Sequence, residues 1–314
     1  MKISQLTLVQ LLESLVGPGL FLSAGPFIFQ IRTKVPQIAE GLRLLYGDFR
    51  IASCQDFADF HIRFEERRSW RRGFRPYASV EVDGDRPSGP VPLEQVYAVF
   101  EGCLNWCIFT QAYQYLIIHA AAIERGGRAA LLPAPPGSGK STLCAALVNR
   151  GWRLLTDELT LIATDSRTIV PLARPVSLKN ESIDVIKNFA PKAVFGPVSP
   201  NTIKGTIAHM RPPAESVARL DEYCPIAWMI LPTFRSGATV SVGEISKGEA
   251  FMRVAESAVN YMALGELGFE LVSTLIDEVS CYRFEYSDLN GAVRWFDDLV
   301  FGDKSIVAQP SESD

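Results

Sequence analysis

A chain of 314 residues that is 47% hydrophobic and 21% charged has enough apolar material for one large or two modest globular domains and needs no disulfide scaffold. Its net charge of −4 excludes the basic footprint of a nucleic-acid binder, although six arginines crowd into Arg63 to Arg75, where Glu65 and Glu66 are interleaved as on a solvated strand end or loop. Of the six cysteines only Cys103 and Cys107 are close, at helical spacing and with no second pair or histidine nearby, so two buried thiols on one helix face fit better than a zinc site.

The first apolar stretch, "LVGPGLFLSAGPFIFQI", is broken by Gly17, Pro18, Gly19, Gly25 and Pro26 and preceded by little basic charge beyond Lys2. It reads as buried strand and turn, and the expectation is a cytoplasmic protein without membrane insertion. "GPFIFQIRT" alternates as a strand does, and "VPQIAEGLRLLYGDF" places Ile38, Leu42, Leu45 and Tyr46 on one helical face. "FADFHIRFEE" and "YASVEVDG" are strand-like, and the turn-rich run from Gly84 to Pro92 is the linker candidate.

Leu93 to Gln114 predicts a long buried helix. The strands "YLIIHAAAIER" and "RAALLPA" follow, joined by Gly126-Gly127 in a tight hairpin. After the loop described next, a helix over "KSTLCAALVNR" stops at Gly151, and "RLLTDELTLIAT" is a strand pair or one long strand. Farther on, the pattern predicts strands at "IAWMILPTF" and "ATVSVGEI", helices near 248–262 and 264–276, a strand "CYRFEYS" and a last helix from Leu289 to Val300.

The hairpin leads into "PAPPGSGKST", Pro133 to Thr142. A helix N-terminus leaves backbone N–H groups unpaired and carries partial positive charge, so a glycine-rich turn feeding it cradles anions. Pro136, Gly137, Ser138, Gly139, Lys140, Ser141 and Thr142 are therefore expected to hold a nucleotide, with Lys140 on the β/γ-phosphates and the Ser141 hydroxyl on Mg²⁺. Ala134 occupies the place of the first glycine of the full pattern; if that place needs positive φ, the alanine costs about 1 kcal/mol or more. ATP or GTP binding is the reading.

An acidic pair, Asp157-Glu158, ends the first strand after the loop helix. A carboxylate beside the γ-phosphate can bind the metal or take the proton of an attacking hydroxyl, and a pair can divide those duties. His119 in "LIIHAAA" is by its apolar neighbours a packed core histidine or, at the strand end, a site residue.

The compact order of histidine, hairpin, "GSGKS", helix and "RGWRLLTDE" resembles the HPr kinase/phosphorylase family, whose core is related in fold to phosphoenolpyruvate carboxykinase. His119 lies 21 residues before Lys140 and Asp157 lies 17 after it, as in that pattern. "GSGKSTL", "LTDE" and "RPVSLKN" are similar to the subgroup called HPr kinase-related kinase A. The resemblance implies an α/β (α+β) P-loop kinase core with a mixed or antiparallel sheet at residues 91–305 and a smaller N-terminal α+β region at 1–90 for acceptor or partner docking; the polar tail at 306–314 reads by itself as disordered. The resemblance further implies an ATP- and Mg²⁺-dependent kinase acting on a serine of a small protein or peptide, with PqqD-like proteins among the candidate partners. HPr kinases are hexameric, so a homo-oligomer belongs to the same expectation. Asp157 would then be the base, Glu158 with Ser141 would hold the metal, and His119 would tune the site. The family's phosphorylase signature is absent, and in its region stand Arg174 and Lys179, which together with Arg211 of "GTIAHMRPP" are candidate phosphate or substrate residues. The Arg211 segment otherwise reads as a surface loop. A nucleotide-dependent switch module without phosphotransfer and a small-molecule kinase are the other readings.

Overall fold

The computed structural model describes residues 1–68 and 76–302. They fall into two compact units, one of Met1–Gln111 with Ala173–Asp221 and one of Ala112–Leu172 with the chain from Glu222 onward. This division does not follow a linear boundary near residue 90: the stretch up to Gln111 and a later insert both group with the N-terminal region.

The first unit opens on helix α1 (Leu8–Val16), which the sequence reading did not anticipate. Its start is a capping box in which the Gln10 amide donates to Thr7 Oγ1 and the Thr7 amide donates to the Gln10 side chain. Strands β1 (Leu20–Ala24) and β2 (Phe27–Thr33) then form the predicted turn-and-strand stretch. Helix α2 (Pro36–Leu45), β3 (Arg50–Ile51), β4 (Phe60–Arg68), β5 (Pro76–Val82) and β6 (Val91–Pro92) complete a sheet of order β3-β1-β2-β4-β5-β6. Only β2 and β4 run parallel, because α2 carries the chain across between them. The described arginines of the basic cluster extend from the end of β4 as solvated pairs, Arg63 and Arg67 on Glu65 and Arg68 on Glu66; the rest of the cluster lies outside the described residues. Helix α3 (Val96–Gln111) is the predicted buried helix, with Cys103 and Cys107 inside; burial raises the Cys103 thiol to about 12.

The second unit begins with β7 (Tyr115–Ile118), β8 (Ala120–Arg125) and β9 (Arg128–Pro133), followed by α4 (Lys140–Val148), β10 (Arg153–Thr156), β11 (Thr160–Ala163) and β12 (Ile169–Val170). Gly126 and Gly127, with φ of +63° and +76°, make the predicted tight hairpin of β8 and β9.

The insert returns to the first unit with β13 (Val176–Lys179), α5 (Glu181–Phe189), β14 (Ser199–Thr202), β15 (Gly205–Met210) and α6 (Ala214–Ala218). The segment expected as a loop before Arg211 is thus largely strand: β15 lies between β13 and β14 and buries Ile207, Ala208 and Met210.

The second unit closes with β16 (Ile226–Phe234), β17 (Ser241–Glu244), α7 (Lys247–Ser257), α8 (Tyr261–Leu264), α9 (Glu266–Glu278), β18 (Ser280–Tyr286) and α10 (Leu289–Phe301). Its main sheet has the order β10-β8-β9-β16-β18-β17, with β9, β16 and β18 parallel and the other pairs antiparallel, a mixed sheet of the α+β kind expected. Both faces are covered, which is why its central strands are apolar without interruption. Ala129, Leu131 and Met229 point into a core with Ala250 and Val254 of α7 and Leu271 and Leu275 of α9. On the other face, α10 sets Trp295 and Phe296 against Phe284 of β18, and α4 packs against α10.

Candidate active site

Two strands that look continuous in sequence are each broken. β7 and β11 pair in a three-stranded sheet with β12, whereas β8 and β10, their direct continuations, pair in the main sheet. The chain therefore creases at His119 on one strand and at Asp157 to Leu159 on its neighbour. The crease is stitched by the Thr160 hydroxyl donating to the Ala120 carbonyl at 3.1 Å, the Thr156 hydroxyl to the Leu159 carbonyl at 3.0 Å, and the His119 amide to the Ser257 carbonyl at 2.8 Å. Leaving a sheet ladder turns residues away from the strand alternation, so both candidate residues stand at a break rather than within a core strand.

The phosphate-loop sequence leaves the C-terminal end of β9, where parallel strands gather ligands. Gly137 and Gly139 carry the left-handed conformation, with φ of +87° and +86°. Ala134 is not among the described residues of positive φ, so the alanine in place of the first glycine meets no such strain. Gly139 also has a packing reason: a Cβ there would lie 2.5 Å from the Tyr286 hydroxyl and 2.9 Å from Phe234 Cβ. Those neighbours fasten the loop, since the Tyr286 hydroxyl donates to the Gly139 carbonyl at 3.0 Å and the Phe234 amide donates to the Ser138 carbonyl at 2.9 Å. Nothing in the sequence marks either residue beyond the aromatic positions in the strands "IAWMILPTF" and "CYRFEYS".

Helix α4 starts at Lys140, so the amides of its first turn have no helical partner. Lys140 is 8% exposed and its Nζ donates to the backbone carbonyl of Asp157 at 2.8 Å; Asp157 is 4% exposed. Loop lysine and crease aspartate thus meet in space. Beneath them, burial pushes the Cys144 thiol well up, with Asp157 adding to the rise and Lys140 opposing it. The Ser138 hydroxyl is buried and has no hydrogen-bond partner within the protein, as is also true of Arg174 Nε in the first unit. Among the described residues no group of three or more His, Cys, Asp or Glu side chains forms a metal site. Ser141 and Glu158, both half-buried, suit Mg²⁺, which takes one or two protein oxygens and completes its shell with phosphate and water.

A cleft of about 530 Å³ opens beside the loop on the α7 face of the sheet. His119 and Pro133 to Pro136 line one side, Leu231 and Thr233 continue the wall, and Glu249, Arg253 and Glu256 of α7 with Arg283 form a charged rim. Glu249 pairs with Arg283 at 2.7 Å and Arg253 with Glu256 at 3.7 Å. His119 is half-buried at the cleft wall rather than sealed in the core.

Arg174, Lys179 and Arg211 belong to the first unit. Arg174 is buried and engaged with Glu101 and Asn105; Arg211 pairs with Asp48; Lys179 ends β13, half-buried.

No helix among the described residues is long and apolar enough to cross a membrane. No protein-family model matches the chain. No curated protein matches it. Among solved structures it is similar to the Hpr(Ser) kinase/phosphatase from Coxiella burnetii at 14% sequence identity, covering 59% of this chain and 99% of that one, with a TM-score of 0.25, too slight a likeness to add to the geometry above.

Proposed function

We propose that the chain is an ATP-dependent kinase that moves the γ-phosphate onto a hydroxyl, a serine of a small protein or peptide. The observation that carries this reading is that the Lys140 ammonium reaches the backbone carbonyl of Asp157 at the crease, while His119 of the same crease and Pro133 to Pro136 of the loop wall a cleft. The amides from Gly137 to Thr142 hold phosphate oxygens and Lys140 neutralises the β/γ end. An acceptor hydroxyl presented from the cleft attacks the γ-phosphorus as the bond to the β,γ-bridging oxygen breaks, and its proton passes to the Asp157 carboxylate. His119, on the cleft wall, orients the acceptor. Mg²⁺, held by Ser141 and Glu158, supplies charge neutralisation at the phosphates when bound. Arg174 and Arg211 already have carboxylate partners, so the reading does not lean on them. The resemblance of the motifs suggests a PqqD-like or other small acceptor recruited with the help of the N-terminal region.

The test is transfer of label from γ-labelled ATP with Mg²⁺ to a lysate of the source organism, wild type against Asp157→Asn. A labelled band present with wild type and reduced about 100-fold or more with the variant, which still binds ATP, is expected. Tight ATP binding by wild type with no labelled acceptor would favour the switch reading instead.

A further inference from the structure

The two faces of the main sheet offer different surroundings to the loop. Its entry, Pro133 to Pro136, lines the cleft on the α7 face, whereas Gly139 abuts Phe234 and Tyr286 on the face that carries α4 and α10. The direction of a bound nucleotide follows from Lys140. Its ammonium lies at the end of β10, at one edge of the order β10-β8-β9-β16-β18-β17, and that group serves the β/γ-phosphates. A nucleotide whose β/γ-phosphates meet Lys140 at that edge has room to run across β9, beside the C-terminal ends of β16 and β18.

Phe234 stands at that place, the last residue of β16. It is 49% exposed, so its ring is open to solvent directly beside the loop, although other aromatics of the chain, Phe57 and Phe301 among them, are more exposed. Its position is fixed on two sides. The amide is bonded to the loop at Ser138, and its ring meets the Tyr286 ring edge-on at 5.8 Å, while Tyr286 stacks on Phe284 at 5.6 Å and donates its hydroxyl to Gly139. The adjacent Arg235 is exposed and pairs with Glu285 at 3.3 Å.

We infer that Phe234 is the stacking platform for the base of the nucleotide, and that Tyr286 is the positioning residue tying this platform to the loop. The inference rests on the nucleotide-binding part of the proposed function. It makes the site selective for an aromatic nucleoside triphosphate over a bare polyphosphate, because stacking on one aromatic ring supplies affinity that phosphate contacts cannot.

The experiment measures dissociation constants of ATP and of inorganic tripolyphosphate, each with Mg²⁺, for wild type, Phe234→Ala and Phe234→Trp, with melting curves to check folding. The expected result is ATP affinity about tenfold weaker in Phe234→Ala and retained in Phe234→Trp, with tripolyphosphate affinity the same in all three. Equal weakening of both ligands would assign Phe234 to loop structure and overturn the platform. Unchanged ATP affinity in Phe234→Ala would overturn it also, with the phosphate site left intact. A wild type that binds neither ligand would overturn the nucleotide reading and the platform with it.

Discussion

Each unit buries charge, and the two do it differently. In the first, Glu101 accepts from the Tyr46 hydroxyl at 2.9 and 3.0 Å, from the Tyr97 hydroxyl at 2.8 Å and from the Arg174 guanidinium at 3.3 Å. Burial and then the Glu101 charge push both tyrosine hydroxyls well above their ordinary range, so they remain donors at any physiological pH. Every neighbour serves the carboxylate, and the cluster acts as a lock within the fold. In the second unit Lys140 and Asp157 are as deeply buried, yet they stand at a crease beside a glycine turn, an orphan Ser138 hydroxyl and a cleft. Buried charge alone does not mark a site. Nor does an unpaired polar atom, since Arg174 Nε within the lock has no hydrogen-bond partner either; a glycine turn and open space next to the charge do.

Breaking the lock has the largest expected effect on stability. Arg174→Met leaves Glu101 buried without its cation and is expected to cost about 3–5 kcal/mol in urea unfolding. The double variant Glu101→Gln with Arg174→Met recovers much of that, since no charge is left stranded. A single variant within about 0.5 kcal/mol of wild type would show that the cluster is not a lock.

The loop glycines sharpen the contrast at smaller magnitude. Gly139→Ala forces a side chain into positive φ and into the Tyr286 hydroxyl, whereas a Cβ on Gly137 meets nothing within 4 Å. Both changes carry about 1–2 kcal/mol of backbone strain. Only Gly139→Ala displaces the link to Tyr286 and Phe234, so it is expected to lower the melting temperature more and to weaken ATP binding far more than Gly137→Ala. Equal loss of binding in the two would remove the packing role assigned to Tyr286.

How much of this was legible in the sequence follows how local each feature is. The hairpin, the glycine loop and the helix it feeds leave short-range marks, Gly126-Gly127 and Gly-Lys-Ser; the mixed sheet is implied only by the resemblance, because its order depends on distant pairings such as β9 with β16. The creases do not. "YLIIHAAAIER" is apolar throughout, and nothing in it says that Ile118 and Ala120 join different sheets; that choice belongs to the partner strands. Arg174 stands out in the sequence as a candidate phosphate or substrate residue because its partner, Glu101, lies 73 residues away. The segment before Arg211 reads as a loop because the burial of Ile207, Ala208 and Met210 depends on pairing with β13. Helix α1 had its capping box in view, Thr7 with Gln10, masked by the apolar stretch that overlaps its end.

The central claim is that the crease and loop of the second unit form a nucleotide site. Titration calorimetry of ATP with Mg²⁺ on wild type and Lys140→Ala tests it most directly, with melting curves to confirm that both are folded. One ATP per chain on wild type and affinity at least about tenfold weaker on the variant is the predicted result, the loss of a charge-assisted contact to phosphate. A folded wild type that takes up no ATP, or a Lys140→Ala variant that binds it equally well, would contradict the account.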